Sequence, residues 1–313
     1  MFRLLFPEQI ESFYRRSLDA MRREDRGLAI SLFLERGSPE LTTIRWELAF
    51  DKREDVFLAL QRRVTMVRAV EASAPVALVP TARPRALVVV ANPEGLPPVD
   101  IAEERNGIDK ALGAFAWDFL AEPGFPPGKS TTRSEGGNIL DIEDRLRDGH
   151  DILHFIGHGR LKGPQAWMVL EGELGGAQDV APKRLVDILP AGQIKLLVLA
   201  AAGSANAETG EAFKLMAQEL VGFGLPAVLV IPSTGQSQAG HREAFSQIFY
   251  EALAGGLPVE RAVSEARTRV SLVERDNFYW GLPVLYTRAG PGVYWIPSGD
   301  DSDSIETTIE GVS

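Results

Sequence analysis

Five short, almost wholly apolar runs constrain this chain more than any other feature. They are 86–91 (ALVVVA), 151–156 (DILHFI), 195–201 (KLLVLAA), 227–231 (AVLVI) and 283–286 (PVLY). A strand with one face in water alternates apolar and polar residues; a strand covered on both faces does not. These runs do not alternate. Stretches of helical pattern lie between them, at 101–121, 138–148, 180–190, 210–222, 241–254 and 258–273. In 241–254, Phe245, Ile248, Phe249 and Leu253 recur at helical spacing. Buried strands alternating with helices predict an α/β domain with a mostly parallel central sheet flanked by helices.

The N-terminal third reads differently. Ile10, Phe13, Tyr14, Leu18 and Met21 fit one face of a helix over 8–25 that Gly27 would stop, and 28–34 and 55–67 read as β-rich. Residues 72–85 hold Pro75, Pro80 and Pro84 with little periodicity, which suggests a linker. The predicted organisation is therefore an N-terminal helix and β-rich part over 1–80, an α/β domain over 81–297, and an acidic tail over 298–313 that reads as disordered.

Several function classes drop out. Net charge is −10, and the one basic cluster (Arg15, Arg16, Arg22, Arg23, Arg26) is interleaved with Glu24 and Asp25, so no nucleic-acid footprint is expected. No apolar run approaches membrane-spanning length, and the N-terminus lacks a secretory pattern; a cytoplasmic location is the expectation. The segment 124–130 (GFPPGKS) imitates a phosphate loop, but its prolines remove N–H donors and the pattern before it reads as helix rather than strand. His150, His154 and His158 recur every fourth residue, but their neighbours read as strand rather than helix, so neither metal nor other cofactor is expected. With no cysteine, the chain has no disulfide, thiolate metal site or thiol nucleophile.

Catalytic groups in open α/β sheets gather beyond the carboxyl ends of parallel strands. After 151–156 comes Gly157-His158-Gly159, a histidine placed where a base or proton donor would stand, with the Gly159 N–H beside it. After 195–201 comes Ala202-Gly203-Ser204-Ala205, a small-residue turn about 44 residues downstream, which makes the two strands candidates for adjacency. Ser204 lacks the Gly-x-Ser-x-Gly elbow that would project a serine nucleophile.

These segments resemble the caspase-like (clan CD) cysteine peptidases, specifically the CHAT family. His154 to Gly159 is similar to its histidine motif, and Leu199-Ala200-Ala201-Ala202-Gly203-Ser204 is similar to its nucleophile strand, with Ala202 where the cysteine belongs. Ile44 to Leu48 (IRWEL), 224–228 (GLPAV), 245–267 and 280–286 (WGLPVLY) resemble further stretches, Trp46 and Trp280 among positions that look structural. The resemblance implies a caspase-like three-layer sandwich and a Cys/His endopeptidase. In such an enzyme a thiolate at 202 attacks the peptide carbonyl, His158 protonates the leaving amine, and the N–H groups of Gly159 and residue 202 hold the oxyanion. With Ala202 this chain is expected to be inactive, either as a cysteine-to-alanine form of a peptidase or as a natural pseudo-peptidase used for protein interaction. The otherwise intact motif favours the first. The resemblance further implies a protein substrate, for instance a co-encoded effector in bacterial defence or signalling, and an activating partner. Ala200, two residues before position 202, argues against a basic P1 preference supplied there. Asn92, Glu94 and Asp100 are candidates to line the substrate pocket, although Asp100 also suits an N-cap for the helix from Ile101.

Overall fold

The computed structural model describes residues 1–34, 39–71, 81, 84–121, 137–172, 174–190, 192–233, 239–273 and 277–288. The bulk of the predicted linker, the phosphate-loop imitation at 124–130 and the acidic tail lie outside these residues. In chain order the elements are α1 (Phe2–Leu5), α2 (Glu8–Glu24), β1 (Leu28–Phe33), α3 (Pro39–Thr43), β2 (Phe50–Asp51), β3 (Val56–Phe57), β4 (Val64–Val70), β5 (Arg85–Val90), α4 (Ile101–Ala111) and β6 (Ala116–Leu120). There follow α5 (Ile139–Leu146), β7 (Ile152–Lys162), β8 (Gln165–Glu171), β9 (Ala177–Val180), α6 (Pro182–Ile188), β10 (Leu196–Ala201), α7 (Ala207–Phe223), β11 (Ala227–Ile231), α8 (Ala239–Ala254), α9 (Val259–Val273) and β12 (Val284–Arg288).

The main sheet has the order β1-β4-β12-β11-β10-β7-β5-β6, with the β8–β9 pair attached beyond β7. From β11 to β6 the strands are parallel; β12 runs antiparallel to β11 and parallel to β4. Its helices cover both faces, because neighbouring residues of one strand reach opposite layers. His154 bonds Tyr250 of α8, while Phe155 packs edge-on against Phe213 of α7. This explains the non-alternating runs: Leu87, Val88, Val89 and Val90 are all buried, as are Leu197, Val198 and Leu199. The mixed α/β fold with a mostly parallel sheet is the one expected.

Several local readings need correction. Residues 101–121 are not one helix: α4 ends at Ala111 and 116–120 form edge strand β6. The last apolar run, in β12, is parallel only to β4. Helix α2 stops at Asp25, which takes a left-handed conformation (φ 56°), two residues before Gly27. Tyr14, Leu18 and Met21 are buried on it, but Ile10 and Phe13 remain 49% and 63% exposed. The arginines of α2 meet carboxylates, Arg15 pairing with Asp51 and Arg22 with Glu54. Finally, 157–159 is not a loop: β7 runs on through it and pairs with β8, His158 opposite Val169.

Candidate active site

Strands β7 and β10 are neighbours in parallel register, Ala201 opposite Gly157. The ladder extends one step further, where the Ala202 N–H donates to the Gly157 carbonyl at 2.9 Å. His158 and Ala202 are therefore the next residues along two adjacent strands. Side-chain alternation puts both on the face that carries His154, Ile156 and Ala200, the face covered by α4 and α8. The carboxyl end of β7 also adjoins β5, where the chain, having placed β6 on one side of that strand, returns to place β7 on the other, the switch point at which α/β sheets bind ligands.

Glycine at 157 and 159 serves packing, not unusual backbone angles, since both lie in extended strand. A Cβ on Gly157 would stand 2.7 Å from the Phe155 ring, and one on Gly159 2.8 Å from the Phe213 ring. With no side chain there, α7 closes directly on the strand behind the histidine.

His158 is 4% exposed. Its Nε2 lies 2.9 Å from the Pro97 carbonyl oxygen, an atom that can only accept, so Nε2 carries the proton and Nδ1 keeps its lone pair. Burial lowers its pKa, the Pro97 bond opposes this, and Arg160 adds to the lowering; the ring is a neutral base near pH 7. The third group that orients the histidine is thus a backbone carbonyl in the loop after β5, invisible to a search for side chains. Asn92 helps to shape that loop: its Oδ1 accepts the Val99 N–H, and its own N–H donates to buried Glu171. Ser204 donates to the same Pro97 oxygen at 3.3 Å, which places its hydroxyl toward the protonated side of the ring, away from the basic nitrogen.

The other expected site residues are distributed as follows. Ala202 is fully buried. The Gly159 N–H donates to Thr209 Oγ1 at 3.3 Å, and that hydroxyl lies 3.2 Å from the Gly159 carbonyl. Both N–H groups assigned to an oxyanion are therefore engaged within the protein. Ala200 lines a small cavity of about 20 Å³ with His154, Ile156, Glu104 and Arg242. Exposed Glu94 bridges to the β8–β9 connection, its N–H donating to the Gly175 carbonyl. Asp100 is the N-cap of α4, accepting the Glu103 N–H.

A pair that sequence reading passed over sits beside the turn. Arg242, in the first turn of α8, donates to both oxygens of Glu104 on α4 (2.7 and 2.6 Å) and to the Ala201 carbonyl (2.8 Å). Glu104 also accepts the Gly203 N–H at 3.4 Å. Both side chains are nearly buried. His154 is buried and neutral, its pKa pushed down to about 3 by burial and then by Arg242. No cluster suited to a metal occurs among the described residues.

Two caspases are among the solved structures that this chain resembles. Caspase-1 from Spodoptera frugiperda is 14% identical, over 73% of this chain and 96% of that one, with a TM-score of 0.38. The Drosophila initiator caspase Dronc is 10% identical, over 65% and 83%, with a TM-score of 0.34. No curated protein matches the chain. The family model of the CHAT domain matches residues 7–291. By that match, which takes in every strand of the sheet, the chain belongs to the CHAT domain family.

Proposed function

We propose that this chain is a caspase-like peptidase scaffold whose nucleophile position holds alanine, so that it retains a protein segment without cutting it. The observation that carries this reading is the register of β7 and β10, which sets Ala202 next to a neutral, backbone-oriented His158. A methyl group cannot form an acyl-enzyme. With cysteine at 202, Nδ1 of His158 would take the thiol proton, the thiolate would attack the substrate carbonyl, and His158 would return the proton to the leaving amine. By family resemblance the substrate is a protein, such as a co-encoded effector in bacterial defence or signalling, encountered in the cytoplasm.

The test is Ala202→Cys. We expect a thiol that iodoacetamide alkylates in a His158-dependent manner, and cleavage of a partner protein that His158→Ala abolishes. A thiol that reacts at the same rate with and without His158 would sink the peptidase reading. A second reading, a natural interaction module, draws on the engaged N–H groups of Gly159 and Ala202. It predicts that Ala202→Cys binds partners as the parent does and never turns them over.

A further inference from the structure

Two cavities lie along α2, neither lined by a residue of the candidate active site, and both are cationic in a chain of net charge −10. We infer that together they form a docking groove for the acidic segment 298–313 of this same chain, with Ile305 and Ile309 seated in one cavity each. The inference does not depend on the chemistry read at His158 and Ala202.

The first cavity, of about 610 Å³, has Phe2, Leu48 and Phe50 for its apolar floor. Its two carboxylates, Glu11 and Asp51, are both held by Arg15, and Glu11 also meets Arg53 at 3.5 Å. Arg3 and Lys52, on the same wall, enter no ion pair among the described residues. The second cavity, of about 440 Å³, sets Met21 and Val56 beside Arg62, which likewise forms no ion pair there, while Glu54 and Asp25 are matched by Arg22 and Arg63. Each cavity thus offers apolar surface next to unmatched positive charge, and a complementary ligand alternates apolar and acidic groups. The segment 298–313 does so. After Asp300, Asp301 and Asp303, the stretch Ile305-Glu306-Thr307-Thr308-Ile309-Glu310 twice follows an isoleucine with a glutamate, and no basic residue interrupts it. The spacing fits as well. Arg15 lines one cavity and Arg22 the other, about 10 Å apart along the helix, and four residues of extended chain span about 13 Å. The chain leaves β12 at Arg288, beside β4 and near β1, against which α2 packs. From Arg288 to Ile305 it can extend about 55 Å, against a radius of gyration of about 20 Å for this length, so the segment reaches the groove of its own molecule. Exposed ion pairs alone hold weakly, so burial of the two isoleucines is what fixes the segment in place.

A chain without cysteine can be labelled at chosen points, which allows the test in the full-length protein. Ser17→Cys, at an exposed position of α2, and Thr307→Cys, between the isoleucines, would carry a donor and an acceptor dye. Energy transfer between them should fall about twofold when salt is raised from about 0.05 M to about 0.5 M. At low salt, Arg3→Glu/Lys52→Glu/Arg62→Glu should lower it to a similar extent. So should Ile305→Ser/Ile309→Ser, which keeps every charge and leaves residues 1–297 untouched; this variant decides the matter even if the first does not fold. Transfer that survives loss of both isoleucines would reduce the contact to general charge attraction and overturn the groove. Equal transfer in a mixture of singly labelled chains would overturn docking within one molecule.

Discussion

At the scale of single residues, the histidines show how far sequence can specify chemistry. The glycine-flanked motif marks His158 as the candidate base, but its tautomer and orientation are set by the Pro97 oxygen, a main-chain atom from a loop 61 residues earlier. No residue type announces such a contact, which is why the orienting group was not legible. His154 carries a prediction about pH. Its pKa is near 3 in the fold against an ordinary 6.5, and burial lowers His150 and His158 as well. Between those values the unfolded chain binds protons that the native chain refuses, so stability falls as pH drops from about 6.5 toward 3. Melting temperatures recorded from pH 7 to pH 4 should decline, and the decline should be shallower in His154→Phe/Tyr250→Phe, which removes the buried imidazole together with the hydroxyl it bonds. An equal decline in both proteins would refute the assignment. Asp100 offers a simpler case: as the N-cap of α4, Asp100→Ala should cost about 1 kcal/mol in urea unfolding, with partner binding unchanged.

Secondary-structure elements were legible where burial left a pattern. The five apolar runs all fall in strands of the main sheet, since a strand enclosed by helices on both faces can afford no polar face. Strand β6 escaped because it is an edge strand whose aromatic sequence, AWDFL, continues the apolar spacing of α4. The β8–β9 pair escaped because it grows from β7 past the expected end of that strand. The passage of β7 against α7 can be tested through its glycines. Gly159→Ala places a methyl 2.8 Å from Phe213, and destabilisation of about 1–3 kcal/mol is expected. Gly203→Ala, on the adjacent turn with nothing within 4 Å, should stay within about 0.5 kcal/mol. Denaturant titrations of the two variants side by side give the comparison; equal losses would mean that the close approach is not what requires glycine at 159.

Across the whole molecule, the N-terminal segment is bound to the sheet through a buried charge cluster. Arg68 of β4 pairs with Glu47 and donates to the carbonyls of Thr42 and Ile44, while Arg267 of α9 donates to those of Met66 and Pro283. Burial alone would raise the Glu47 pKa, but Arg68 and Arg267 hold it below its usual value; burial pushes Arg267 down to about 10. Two guanidiniums thus depend on one carboxylate. Glu47→Ala should cost about 3–5 kcal/mol, read as a lower urea midpoint, and more than any surface ion pair of α2. A loss below about 1 kcal/mol would show the cluster to be dispensable. The sheet order adds a consequence for synthesis. Strand β4 lies between β1 and β12, and its Arg68 meets Tyr286 across 218 residues of chain. On a ribosome adding about 5–20 residues per second, β4 is complete for roughly 10–40 s before β12 exists. Through that interval its inner edge is open, and whatever guards it in the cell must act while the protein is still being made.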